Sequence, residues 1–133
     1  MANSFQLDIV TPTKVINEGA VEYLRAPSLD GLFGVEAGHA PAIIGLGIGE
    51  IKVNKGTEVV YYSTGGGYDD SRQEGVMLIV ESVEKATEID ADRAKEALDR
   101  AMKKLGDEKF DTSQARESLD RAKNRLKIAY RNK

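Results

Sequence analysis

The sequence predicts a mainly β plus α protein: an N-terminal β-sandwich followed by a C-terminal antiparallel two-helix hairpin. Three observations carry this reading. Short β-branched runs separated by turn residues recur through the first part of the chain. All three prolines and 12 of the 13 glycines lie before residue 76. From Asp90 onward an alanine-rich, charged pattern of helical period continues to the end. The division is placed after residue 86, with a sandwich domain over 1–86 and a helical hairpin domain over 87–133.

The strands follow in order. Phe5, Leu7 and Ile9 alternate with polar residues up to Thr11-Pro12, the period-2 signature of a half-buried strand ended by a proline. Val15-Ile16, Val21 to Leu24, Leu32 to Val35, Ile43-Ile44, Ile48 to Val53, Val59 to Tyr62 and Val76 to Val80 come next. Asn17-Glu18-Gly19 and Asn54-Lys55-Gly56 are read as turns between them.

The helices start at a joint, Ile89 to Ala94. Asp90 has the chemistry of an N-cap, and Ile89 is placed to pack against Ala94 as a hydrophobic staple. Ala94, Leu98, Ala101 and Leu105 then step by helical spacing down one face until Gly106-Asp107. Asp111, with Gln114 as capping-box partner and Phe110 as staple, is read as the start of a second helix whose stripe is Ala115, Leu119, Ala122, Leu126 and Ala129. The stripe is thin: a fully buried leucine contributes about 1.5–3 kcal/mol, and ordering costs about 1–2 kcal/mol per residue. Such a hairpin is expected to need the β body, a ligand or a partner to stay folded, which makes it a candidate switch.

Composition closes several function classes. There is no cysteine and a single histidine, His39, which rules out thiolate chemistry and a cysteine or histidine metal cluster. No basic run followed by an apolar core opens the chain, and no window approaches 18 uninterrupted apolar residues, so a soluble protein working where it is made is expected. Charge is unevenly split. Residues 1–89 hold 6 Lys/Arg against 13 Asp/Glu, whereas residues 90–133 hold 13 against 9. A basic tail on an acidic body can fold back onto it, or reach for an acidic partner or a polyphosphate.

Gly65-Gly66-Gly67 is not a phosphate cradle: no Lys-Ser/Thr follows, and Tyr68-Asp69-Asp70 would repel an anion, which leaves a turn or bulge. Asp69 and Asp70 are neighbours and would face opposite sides of a strand, so they form no catalytic pair. His39, in Gly38-His39-Ala40-Pro41, is read as structural. Arg93 and Arg100 share a helix face, as do Arg121 and Arg125. In an antiparallel pair these could converge with Asp90 on a nucleotide's phosphates, or could simply be solvated faces. Both readings stand at this level.

Phe5 to Pro12, Asp30-Gly31-Leu32-Phe33-Gly34-Val35, Gly38-His39-Ala40-Pro41, Gly66-Gly67-Tyr68 and the Ile89-Asp90-x-x-Arg93-Ala94 helix start occur in an order and spacing that resembles the epsilon subunit of bacterial rotary (F-type) ATP synthases over nearly the whole chain. Two local patterns differ: Glu36-Ala37 stands where the family usually has Leu-Pro, and Tyr68-Asp69-Asp70-Ser71 follows a different course from its usual apolar-x-Glu-Val. The resemblance implies a non-catalytic subunit with a ten-stranded β-sandwich that docks on the gamma subunit and on the membrane rotor ring of c subunits. It implies a C-terminal hairpin that can extend along the alpha and beta catalytic subunits and restrain ATP hydrolysis. It also implies a peripheral location on the cytoplasmic side of the bacterial cell membrane, with no nucleic acid bound and no direct insertion into the bilayer. No cofactor is required, but ATP is an expected regulatory ligand. The ATP-binding members of the family carry the implied site at positions matched here by Glu84, Ile89, Asp90, Arg93, Ala94, Arg100, Arg121 and Arg125. Two further readings remain beside this one: a free-standing nucleotide-binding sensor, and a plain scaffold whose helices never move.

Overall fold

Alternation in the first strand sets the inside of the sandwich. In β1 (Phe5–Val10) Phe5, Leu7 and Ile9 are buried and Gln6 is exposed, as the period-2 pattern requires. The computed structural model describes residues 3–106 and 112–131. Nine more strands follow: β2 (Val15–Val21), β3 (Tyr23–Ser28), β4 (Gly31–Glu36), β5 (Ala42–Leu46), β6 (Gly49–Lys55), β7 (Glu58–Thr64), β8 (Gly67–Arg72), β9 (Gly75–Val80) and β10 (Val83–Lys85). They form one hydrogen-bonded path, β10-β7-β6-β3-β5-β8-β9-β1-β2, with β4 paired to β3. All pairings are antiparallel except β1 with β9. Between β3 and β5 the ladder narrows to the single pair Ser28↔Leu46, so the sheet divides there into two layers that close over a common core. Leu7, Ile9, Leu24, Ile51, Val53 and Leu78 fill that core.

Asn17-Glu18-Gly19 is not a turn between two strands, as the sequence suggested, but a bulge inside β2. Leu7 faces Gly19 and Asp8 faces Asn17, so Glu18 is the extra residue, and Gly19 accommodates the distortion at φ 73°. The bulge turns Glu18 inward. Its carboxylate accepts from the Tyr62 hydroxyl and, at 3.0 Å, from Lys55 Nζ. Burial is the main cause that raises the Tyr62 phenol above its ordinary range, with the Glu18 carboxylate adding to it.

Strand β8 had no apolar run to announce it. It is paired on both edges, with β5 and with β9, and this tertiary pairing overrides a composition poor in strand formers. Asp69 and Asp70 do face opposite ways. Asp70 points outward to Arg72, whereas Asp69 is fully buried and accepts from Ser71 Oγ at 2.7 Å.

After β10 a short 3-10 turn (Ala86–Glu88) leads to α1 (Ala91–Leu105) and then α2 (Thr112–Arg131). Asp90 caps α1 as read from sequence, its carboxylate accepting from Arg93 N at 3.2 Å. The proposed cap and staple of the second helix, Asp111 and Phe110, lie outside the described residues. Ala91 and Ala94 at the start of α1 cluster with Ile128 and Ala129 at the end of α2, so the two helices run antiparallel. Ile89 is buried in the same cluster, next to Ala94.

Burial pushes the Asp69 carboxyl above the usual carboxylate range, while the Ser71 hydroxyl and nearby His39 act in the opposite direction. The folded chain therefore holds this proton more tightly than the unfolded chain. The resulting stability is complete below the ordinary carboxyl pKa of about 4 and is lost as pH rises through the elevated value. Asp69→Asn removes this dependence, so thermal melts should show the variant gaining on the wild type as pH rises above the ordinary carboxyl value of about 4. A pH-independent offset would contradict the assignment.

Candidate functional site

Helix α2 has two buried faces, and the apolar stripe disclosed only one of them. Ala115, Leu119, Ala122 and Ala129 are buried, as are Ala94 and Ala101 of α1, along the helix–helix seam. Ile128, one position before Ala129, turns toward the sandwich instead and is 1% exposed in a cluster that includes Tyr61 of β7. Around this one large apolar anchor the docking is polar. Asn124 Nδ2 donates to the Gly49 carbonyl at 2.9 Å and to Ser63 Oγ at 3.1 Å.

Three arginines of α2 reach three glutamates of the body. Arg121 pairs with Glu81 at 3.1 Å and, along its own helix, with Glu117 at 3.6 Å. Arg125 grips Glu84 with both arms of its guanidinium, Nε to Oε1 at 2.7 Å and Nη2 to Oε2 at 3.2 Å. Arg131 pairs with Glu50, which also accepts from Arg25 at 2.9 Å. The split between an acidic body and a basic tail is thus used within the chain.

Between α2 and the β7–β10 edge lies a cleft of about 530 Å³, lined by Ser63, Thr64, Gly65, Ser82, Glu84, Glu88, Arg121, Arg125 and the Lys14 side of the β1–β2 turn. Of the residues implied by the resemblance, Glu84, Arg121 and Arg125 come together here. Asp90, Arg93 and Arg100 are exposed and are not among its lining residues; Ile89 and Ala94 are buried in the joint. The convergence of two arginines from each helix on Asp90 is therefore not formed in this arrangement. Sequence reading also missed Glu81, Asn124 and Lys14. For Asn124 a signal was available, since it lies three residues after Arg121 and so shares its side of the helix.

The site can bind an anion or hold a helix; nothing in it resembles a nucleophile with its base. His39, the only histidine, is engaged elsewhere: its ring nitrogens face the Glu36 and Arg72 carbonyls at 2.9 and 2.7 Å, and its ring meets Phe5 edge-on.

Residues 4–86 match the family described as ATP synthase, Delta/Epsilon chain, beta-sandwich domain, and residues 87–129 match ATP synthase, Delta/Epsilon chain, long alpha-helix domain. The chain belongs to the ATP synthase epsilon-chain family. It is 33% identical over 131 residues to the ATP synthase epsilon chain of Desulforamulus reducens, covering 97% of this chain and 99% of the relative. To the epsilon chain of Geobacter sulfurreducens it is 40% identical over 114 residues, 84% of this chain and 83% of that one. Its fold is similar to a chain of the Euglena gracilis mitochondrial ATP synthase structure comprising OSCP, F1 and c-ring, with TM-score 0.81, 23% identity, and coverage of 96% and 81% of the two chains. It is also similar to a chain of the Tetrahymena thermophila mitochondrial ATP synthase central stalk and c-ring, with TM-score 0.63, 14% identity, and coverage of 96% and 95%. As a member of the epsilon-chain family it is a non-catalytic subunit. No helix among the described residues is long and apolar enough to cross a membrane.

Ion pairs carry much of the α2 docking, and the screening length falls from about 30 Å at 0.01 M salt to about 3 Å at 1 M. Hydrogen exchange in residues 112–131 should accelerate over that range while β1 and β9 stay protected. Ile128→Ala should loosen the same segment at any salt by about 2 kcal/mol or more. Salt-independent exchange in α2 would show that the glutamate–arginine pairs do not hold it.

Proposed function

We propose that the chain is a central-stalk subunit of the proton-translocating ATP synthase, with the sandwich coupling the catalytic head to the membrane ring and the hairpin acting as a movable restraint on ATP hydrolysis. The observation that carries this reading is the seat of α2, one buried isoleucine amid ion pairs, which is a contact an alternative acidic partner can replace. The sandwich supplies a separate docking face. Ile43, Tyr68, Met77 and Ile79 are exposed on the outer side of neighbouring β5, β8 and β9, a surface suited to the gamma subunit or the ring of c subunits. The hairpin, when extended, meets the alpha and beta catalytic subunits. The protein is then peripheral to the bacterial cell membrane, on its cytoplasmic side.

ATP is the regulatory ligand in this proposal, held in the cleft with Arg121 and Arg125 toward its phosphates and Glu84 toward its base or ribose. Asp90, Arg93 and Arg100 join the site only through movement of α1 or of their own side chains. Both arginines already hold carboxylates, so phosphate replaces a partner rather than filling an empty fork. The cleft has one wall from the sandwich and one from the hairpin, so a ligand touching both binds only the folded-back state. At 100 times its dissociation constant such a ligand stabilises that state by about 2.7 kcal/mol. A fall in ATP would then free the hairpin.

Calorimetric titration with ATP tests the ligand. Arg125→Ala or Arg121→Ala should weaken binding by about 1.5–3 kcal/mol, and unchanged affinity would remove that residue from the site. Deletion of residues 90–133 tests the restraint. The truncated chain should still assemble into an epsilon-free ATPase complex and couple it, but should no longer inhibit; inhibition equal to that of the full chain would refute the role given to the hairpin.

A further inference from the structure

We propose that Lys14 is a further phosphate-binding residue of the cleft, the point at which a ligand's phosphate chain is fastened to the sandwich. The inference rests on the nucleotide reading given above.

The cleft has direction. Along its sandwich wall Glu84 pairs with Ser63 and Val83 with Thr64, and Gly65 N then donates to the Ser82 carbonyl. β1 runs parallel to β9 with Val10 opposite Ile79, so the turn that follows Val10 continues past the end of β9 toward Ser82. The order along this wall is Glu88 and Glu84 at one end, Gly65 and Ser82 next, and Lys14 beyond them. On the helix wall Arg125 stands at Glu84 and Arg121 at Glu81, one turn or about 6 Å apart. Beside the arginine–glutamate pairs, Glu88 lies at the Glu84 end and Lys14 at the other. In this pose the base lies toward Glu88 and Glu84, and the phosphates run past Arg125 and Arg121 to Lys14.

Lys14 differs from the two arginines in how its charge is used. Arg125 is held by both oxygens of Glu84, and Arg121 lies between Glu81 and Glu117. Among the described residues the Lys14 ammonium has no hydrogen-bond or ion-pair partner, so its charge in the cleft is not offset. Its backbone is nevertheless anchored. The Lys14 carbonyl accepts from Thr11 N at 2.9 Å, and Lys14 N donates to Thr11 Oγ1 at 3.1 Å. Only the four-carbon stem has to be ordered when a ligand arrives. Gly65 keeps this end of the floor low, because a Cβ there would lie 2.6 Å from Ser82 Oγ and 3.5 Å from Arg121 Nε.

Lys14 also belongs to the other half of the molecule from the arginines. A phosphate chain that reaches both ties α2 to the sandwich directly, and this gives the ligand its preference for the docked state.

The test is calorimetry on the full chain with ATP and AMP, using the wild type, Lys14→Gln, Lys14→Arg and Arg125→Ala. Lys14 is exposed, so Lys14→Gln should leave the melting temperature of the unliganded protein unchanged. It should weaken ATP binding by about tenfold or more and AMP binding much less, with Lys14→Arg restoring most of the loss. If Lys14→Gln binds ATP within about twofold of wild type while Arg125→Ala loses it, the role of Lys14 is overturned and the nucleotide reading of the cleft survives. Equal weakening of ATP and AMP overturns its part in holding the phosphate chain. A wild-type chain that binds no ATP overturns both.

Discussion

Arg125 reaches from α2 to Glu84 with both arms of its guanidinium, and that fork, with Ile128 one turn further on, decides whether the hairpin lies against the sandwich. Partly exposed ion pairs contribute roughly 0.2–1 kcal/mol each, more when bidentate, and a buried isoleucine contributes about 1.5–3 kcal/mol. The sum is a few kcal/mol, spread over contacts that water, salt or another acidic surface can replace. In the proposed function, that is also the scale on which a bound nucleotide would act.

The sandwich is built on a different principle. Among the described residues its core is supplied by strands alone, from Phe5 through Val83, and no residue of either helix enters it. The hairpin has a separate, smaller cluster at the joint, where Ala86, Ile89, Ala91 and Ala94 meet Ile128 and Ala129. Movement of the hairpin would disturb this second cluster and leave the first intact. Asp90 caps α1 from the edge of that cluster, which keeps the start of the helix defined whatever the far end does. The two buried carboxylates of the body, Glu18 in its bulge and Asp69 beside Ser71, make their hydrogen bonds within the sandwich.

Local periodicity was legible in the residues. β1, the cap at Asp90 and the alanine–leucine seam follow from spacings of two or of three and four, which are consequences of backbone geometry. β8 and the sandwich-facing role of Ile128 were not legible, because a partner far away in the chain creates each of them. Gly19 shows the same limit on a smaller scale. A glycine after Asn-Glu fits a turn and a bulge equally well, and only the pairing with β1 selects the bulge.

The candidate site divides along the same line. The sequence by itself determined that the helices are basic and the body acidic, that Arg121 and Arg125 share a face, and that thiol chemistry and a cysteine or histidine metal cluster are closed to a chain with one histidine and no cysteine. Charge and helical spacing are properties of composition and of one element, and need no knowledge of the fold. Only the tertiary structure decided which charges meet: Arg121 with Glu81, Arg125 with Glu84 and Arg131 with Glu50, while Arg93 and Arg100 stay exposed on α1. These pairings depend on how α2 lies across the β7–β10 edge, and that is set by Ile128 and Asn124 against strands 61 to 75 residues earlier in the chain.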